Sequence, residues 1–120
     1  MNHDDHIALI TGGIDRQDRL WAELGSGTGA FTLALADVLP NSARIISVDK
    51  DRGALERQQR VYNAHLEGRR GPRLEQIHAD YTHELELPPL DGVLMANALH
   101  FQRCKKPVLH LILNFRQWSH

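Results

Sequence analysis

A single cysteine, Cys104, stands among 120 residues, so no internal disulfide can form and a reducing, cytoplasmic setting is expected. No amino-terminal run of about seven apolar residues follows basic ones, and no stretch of about eighteen apolar residues occurs, so neither a secretory leader nor a membrane span is expected. An excess of either charge is missing as well. Lys and Arg number 14 against 15 Asp and Glu, and a net charge of −1 supplies no field to recruit nucleic acid or an acidic membrane. Arg57, Arg60, Arg69, Arg70 and Arg73 do crowd one region, and they read as a solvated face. Of the histidines, His3 and His6 in the run His3-Asp4-Asp5-His6 would share a helix face. The others, at 65, 78, 83, 100, 110 and 120, are scattered; no second cluster offers further ligands, and no metal site is expected. With 42% hydrophobic residues the chain can bury one core, and a single domain over residues 1–120 is expected.

Glycine, by contrast, is concentrated where it carries most information. The run Glu23-Leu24-Gly25-Ser26-Gly27-Thr28-Gly29 follows the apolar stretch Leu20-Trp21-Ala22 and precedes Thr28 to Leu39, which is dense in Ala, Leu and Phe. This reads as strand, glycine turn, helix. Glycines at alternate positions let the backbone turn sharply and let a ligand lie where a Cβ would collide. The helix that follows aims unpaired N–H groups and the positive end of its dipole at whatever lies over the loop. A nucleotide-like ligand is the default.

Gly25, Gly27 and Ala30 also satisfy the looser dinucleotide pattern G-x-G-x-x-G/A, so NAD competes with S-adenosylmethionine. Glu23, two residues before the first glycine, is placed to meet a ligand ammonium directly or through water, and NAD carries none there. Asp49 closes a second strand, Arg44 to Val48, where it is placed to accept both ribose hydroxyls of either cofactor. Its competing role is a helix cap, although Asp51 is at least as good a cap for Arg52 to Leu66. His78-Ala79-Asp80-Tyr81 closes a third apolar stretch. Asp91 to Phe101 forms a fourth strand, Val93 to Ala96, running into a polar and aromatic loop.

Together these four segments, over Trp21 to roughly Leu113, resemble the class I S-adenosylmethionine-dependent methyltransferases. Bacterial small-molecule enzymes with a W-x-[DE]-L-G-S-G-T-G-x-F-T opening and an A-N-x-L-H-F fourth strand are the most similar. The resemblance implies that Glu23, Gly25, Ser26, Gly27, Thr28 and Gly29 hold the methionine part of the cofactor. It implies that Asp49 binds the ribose, Lys50 lies along the adenine, and Asp80 with Tyr81 beside it binds the adenine amine. It further implies that Asn97 to Phe101 face the methyl group and the acceptor. There His100, titratable near neutral pH, is the catalytic candidate; its plainer reading is an imidazole bonded to backbone. His3 to Thr11 reads as a short helix, a cofactor lid in such enzymes, with Gly12-Gly13 as its hinge.

Asp51 to Glu67 reads as an amphipathic helix ending at Gly68, and Leu74 to Ala79 as the third strand. After Pro107, the positions Val108, Leu111, Ile112 and Phe115 follow helical spacing and predict a last helix. Alternating strands and helices predict a Rossmann-like α/β fold: a parallel sheet of order 3-2-1-4 with the ligand crevice between the first and fourth strands. The Pro-Gly-Gly turn, fifth strand and antiparallel pair of the full seven-stranded fold are missing. An apparently truncated form is therefore expected, with the fourth strand as a free edge and a homodimer through it or the last helix. The [DN]-P-P-[YF] signature is missing too, which favours a small-molecule methyl acceptor. Two alternatives stand beside this reading: a non-catalytic cofactor-binding fragment that acts by assembly, and an NAD-binding oxidoreductase. The second lacks the Tyr-x-x-x-Lys pair, since Leu66 follows Tyr62 at that spacing.

Overall fold

The computed structural model describes residues 2–15, 17–27, 29–80, 85–95, 100–103 and 111–113. Helix α1, His3–Thr11, starts at a capping box: Asn2 accepts from the Asp5 amide at 2.9 Å, and Asp5 accepts from the Asn2 amide at 3.1 Å. Strand β1, Leu20–Leu24, is buried throughout, as a strand covered on both faces must be. Helix α2, Ala30–Val38, strand β2, Arg44–Asp49, helix α3, Arg52–Leu66, and strand β3, Arg73–His78, follow within a residue or two of the expected bounds. Asp51 caps α3 by accepting from the Ala54 amide at 3.1 Å, which leaves Asp49 available for other work.

Four short strands follow among the described residues: β4, Leu85–Leu87, β5, Gly92–Met95, β6, His100–Arg103, and β7, Leu111–Leu113. The main sheet runs β3-β2-β1-β5-β6, with parallel pairs from β3 to β5 and β6 antiparallel to β5. The parallel part has the expected order, since β5 is the fourth strand of the sequence reading. One face carries Trp21, Ile45 and Leu94 against Ile10 of α1, Phe31, Ala34 and Leu35 of α2, and Tyr62 of α3. The other carries Ala22, Leu24, Ile46, Val48, Val93 and Met95 against Leu87 and Leu90. Strand alternation sorts these residues between the two faces.

Two expectations are corrected. The predicted last helix does not form at Leu111–Leu113, which pairs antiparallel with Leu85–Leu87 as β7. Short apolar runs satisfy helix and strand spacing alike, and a partner strand decides between them. Val108 and Phe115 lie outside the described residues. Nor is β5 a free edge: Gly92, Val93, Leu94 and Met95 pair with Arg103, Gln102, Phe101 and His100. Main-chain groups along an exposed strand need partners, and a hairpin supplies them from the next segment. The homodimer expected through that edge loses its premise, and His100 and Phe101 stand in a strand rather than a loop.

The starts of β1 and β5 are locked together. Asp91 Oδ2 accepts from the Arg19 amide at 2.6 Å and the Leu20 amide at 3.0 Å, and the Asp91 amide donates to the Leu20 carbonyl at 2.8 Å. Beside this lock the Trp21 indole lies flat over Gly92, its register partner, and donates from Nε1 to Asp18 at 2.9 Å. A Cβ on Gly92 would enter the six-membered ring of that indole. Gly92→Ala is therefore expected to destabilise the protein by about 1–3 kcal/mol through overpacking, read from urea unfolding. An unchanged midpoint would mean that the indole has room to shift.

Candidate cofactor site

The end of β1 is joined to the end of β2 before the glycine turn begins. The Gly25 amide donates to the Val48 carbonyl at 2.8 Å and the Ser26 amide to the same oxygen at 3.3 Å. Gly25, Gly27 and Gly29 then take φ values of 67°, 58° and 97°, the left-handed region that side-chain-bearing residues avoid. At Gly29 space forbids a side chain as well, because a Cβ would lie 2.8 Å from Gln58 Cγ. Gly29 is the N-cap of α2 and offers no side chain to its amides, so the helix dipole faces the loop without a protein anion at that position.

Beneath the loop lies a row of polar side chains in an otherwise apolar layer. Register aligns Glu23 of β1 with Ser47 of β2, and Ser47 with Gln76 of β3. The row is closed from above by Thr32 of α2 and Gln58 of α3. Ser26 and Ser47 hydroxyls are 2.6 Å apart, and Ser47 Oγ lies 2.9 Å from Gln58 Oε1. Gln76 donates to the same Gln58 oxygen at 2.7 Å, Gln58 Nε2 donates to Thr32 Oγ1 at 3.3 Å, and Thr32 donates to Glu23 Oε1. The bonds run in one direction from Ser26 to Glu23, which rigidifies the floor of the turn.

Glu23 is the exception to this satisfaction. Its side chain is fully buried, and Oε2 has no hydrogen-bond partner among the described residues. Burial pushes its pKa up to about 8, the Thr32 bond opposes this, and the Asp49 carboxylate adds to it. A buried carboxyl with one idle oxygen at the carboxyl end of a strand fits a cationic ligand group.

Asp49 is buried and turned toward the loop. Its Oδ2 accepts from the Gly27 amide at 2.7 Å and its Oδ1 from the Asp51 amide at 2.8 Å. Each carboxylate oxygen keeps a second lone pair. Lys50 is exposed, and its carbonyl accepts from His78 Nε2 at 2.9 Å. Asp80, half-buried, follows Ala79, whose amide donates to the Asp49 carbonyl at 3.0 Å; the ends of β2 and β3 are thereby held side by side. Thr28, Tyr81 and Asn97 lie outside the described residues, as does the side chain of His100. The His100 backbone pairs with Met95, itself the register partner of Leu24, at the end of the sheet that bears the glycine turn.

Sequence reasoning missed Thr32, Ser47, Gln58 and Gln76. A signal for three of them exists: Ser47 interrupts Ile45-Ile46-Ser47-Val48, Thr32 interrupts Phe31-Thr32-Leu33, and Gln58 sits between Leu55 and Tyr62 on the buried stripe of α3.

The family model described as "Methyltransferase domain" matches residues 22–115. The chain belongs to that family. It is a class I S-adenosylmethionine-dependent methyltransferase fold, and S-adenosylmethionine is the cofactor of the family. No curated protein matches the sequence. Among solved structures, magnesium protoporphyrin IX methyltransferase from Synechocystis PCC 6803 with bound SAH superposes with a TM-score of 0.59 at 18% identity over 78% of this chain. An S-adenosylmethionine-dependent methyltransferase from Clostridium acetobutylicum ATCC 824 gives 0.62 at 13% identity over 79%. Coclaurine N-methyltransferase bound to N-methylheliamine and SAH gives 0.60 at 22% identity over 78%. The chain spans 39%, 37% and 26% of the lengths of these three proteins. No helix among the described residues is long and apolar enough to cross a membrane.

Because the folded pKa of Glu23 is raised, to about 8 from an ordinary 4.5, the group costs no stability below about 4.5 and a growing amount as pH rises through about 8. Glu23→Gln removes the charge that burial disfavours. The ligand-free variant is expected to gain stability relative to wild type as pH rises across that window, on the order of a few kcal/mol at its upper end. Parallel thermal melts at several pH values check this, and a difference that does not grow with pH would show that Glu23 is not held neutral.

Proposed function

We propose that this chain binds S-adenosylmethionine over the glycine turn and supports transfer of its methyl group to a small-molecule acceptor. The observation that carries the reading is the idle, fully buried Oε2 of Glu23 at the end of β1. In this reading Glu23 meets the ammonium of the methionine part, directly or through water, and the left-handed glycines with Ser26 and Thr28 cradle that part. Asp49 uses its remaining lone pairs for the ribose hydroxyls, Lys50 lies along the adenine, and Asp80 and Tyr81 take its amine. Asn97 closes the cofactor side. The Ser26–Ser47–Gln58–Thr32 chain keeps the turn and Glu23 in place, as positioning residues.

When bound, the cofactor supplies a methyl group already activated by a cationic sulfur. The chain then has to align the acceptor and keep water out. His100, with its backbone at the carboxyl end of the sheet, takes the proton of an acceptor whose nucleophilic atom carries one. The absence of a [DN]-P-P-[YF] loop favours a small molecule over a nucleic acid, and the neighbour that carries N-methylheliamine supports that class. The lone cysteine agrees with a cytoplasmic setting.

A second reading, a module that binds the cofactor without turnover, uses the same binding residues and differs only on the acceptor side. An NAD oxidoreductase is less well supported, because NAD presents no ammonium to Glu23.

Isothermal titration with S-adenosylmethionine, S-adenosylhomocysteine and NAD tests the reading. Both sulfur nucleosides are expected to bind and NAD is not; binding of NAD alone overturns it. Ionisation of Glu23 on meeting an ammonium should release a proton near neutral pH, so the measured heat should vary with the ionisation enthalpy of the buffer. Asp49→Ala removes charge-assisted bonds worth roughly 1.5–3 kcal/mol in all, about one to two decades in affinity. Unchanged affinity in the folded variant would confine Asp49 to holding the Gly27 and Asp51 amides.

A further inference from the structure

The histidines that look scattered in the sequence do not stay so in the fold. His3 begins α1, Asp37 lies in the last turn of α2, and His65 lies in the last turn of α3. His3 Nε2 is 2.6 Å from Asp37 Oδ2, and His65 Nε2 is 2.9 Å from Asp37 Oδ1. The two imidazoles meet edge to face with centroids 5.2 Å apart. One atom from each of the three side chains lies within 4.8 Å of the others.

We propose that His3, Asp37 and His65 form a binding site for a divalent transition metal ion, Zn²⁺ in the first place, that joins α1 to α2 and α3. The donor set argues for this class of ion. Two imidazoles and a carboxylate suit zinc and its neighbours, whereas magnesium and calcium require mostly oxygen. In a tetrahedral zinc site the ligand atoms stand roughly 3.3 Å apart. The two rings contact different oxygens of Asp37, so the carboxylate would meet the ion with both oxygens or turn to offer one. Atoms now within 4.8 Å of one another would adjust by an ångström or so, about a side-chain rotation. The side chains are 35%, 30% and 21% exposed, enough for a hydrated ion to enter and for water to fill the fourth position.

The local field agrees. Asp37 precedes the last residue of α2, whose final turn carries no basic side chain, so a cation there meets the negative end of the helix dipole. The end of α3 contributes less, because Arg69 already donates to the carbonyls of His65 and Leu66. Each imidazole must present a bare Nε2 to the ion. A neutral ring does so by moving its proton to Nδ1 through solvent, and an imidazolium by releasing one proton.

The anchor has a structural consequence for α1. That helix holds Ile10 in the core and sets the His6 ring at a tilt against Phe31, with centroids 4.5 Å apart, but Gly12 and Gly13 follow it at once. An ion bound by His3 would tie down its far end.

The test uses the full chain without a histidine tag, stripped with chelator and then titrated with Zn²⁺ or Co²⁺. One equivalent is expected to bind, with visible absorption bands from Co²⁺ and a raised melting temperature from Zn²⁺, and with no competition from Mg²⁺. Asp37→Asn and His65→Gln are each expected to weaken zinc binding by about tenfold or more, with S-adenosylmethionine binding retained. The far-ultraviolet circular dichroism of each variant reports whether it is folded. No saturable uptake by the wild type overturns the proposal and leaves an ion-pair clamp. Uptake that persists in the folded His3→Gln, Asp37→Asn, His65→Gln triple variant overturns it too, since the ion then sits on other histidines. Neither result touches the cofactor reading, which is measured separately.

Discussion

A carboxyl group buried in an apolar layer is the constraint around which this structure is arranged. Glu23 is fully buried at the end of the central strand, where an uncompensated charge costs several kcal/mol. The fold answers by placing a polar residue at the same register on each of the two parallel strands to one side, Ser47 of β2 and Gln76 of β3, and one on each covering helix, Thr32 and Gln58. These partners satisfy one another and one oxygen of Glu23. They do not satisfy the second. The same few side chains also carry the backbone of the turn, since Ser26 joins the chain at one end and Gln58 packs where a side chain at Gly29 would stand. Preorganisation of the loop and frustration of Glu23 are therefore one arrangement, and in the proposed function a ligand cation relieves what the protein leaves open.

Asp49 extends the arrangement sideways. It is buried close enough to Glu23 to raise its pKa, and two carboxylates near one another disfavour joint ionisation. Asp49 is nonetheless supplied with two amide donors, from Gly27 and Asp51, whereas Glu23 has a single hydroxyl. The environment separates the two acids by the donors each receives. Glu23 is the one left with an oxygen that has no donor among the described residues.

Much of the fold could be read from the chain because the first three strand and helix pairs are marked by local chemistry. Asn2 and Asp51 cap their helices, Gly25 to Gly29 mark the turn, and Leu20 to Leu24 and Arg44 to Val48 are apolar enough to be interior strands. Beyond β3 those marks fade. Leu111–Leu113 takes its form from Leu85–Leu87, a partner distant in sequence, and His100–Arg103 from the adjacent Gly92–Met95, so spacing within each segment alone pointed to a helix and a loop. The site divides in the same way. Glu23, the glycines and Asp49 belong to a compact pattern with a chemical reason for each member. Thr32, Ser47, Gln58 and Gln76 look like polar flaws in apolar runs until register brings them together. His3, Asp37 and His65 lie 34 and 28 residues apart along the chain, and only the packing of three helices on one sheet face joins them.

How little of the chain this arrangement commits explains why a recognisable fold persists at 13–22% identity to the solved structures. The layers ask for apolar residues of suitable size, which many sequences supply, whereas only a turn, a few acids and a polar row ask for particular ones. Trp21 over Gly92 illustrates a local solution: the indole fills the space that a side chain at Gly92 would take, and a different pair of residues could fill it equally well. The glycine turn permits no such exchange. Three left-handed residues in five positions, one of them pressed against a buried glutamine, leave glycine as the residue that fits. Packing residues can therefore be exchanged locally, whereas the turn, Glu23 and the donors beneath it depend on one another, because each member of that group is meaningful only beside the others.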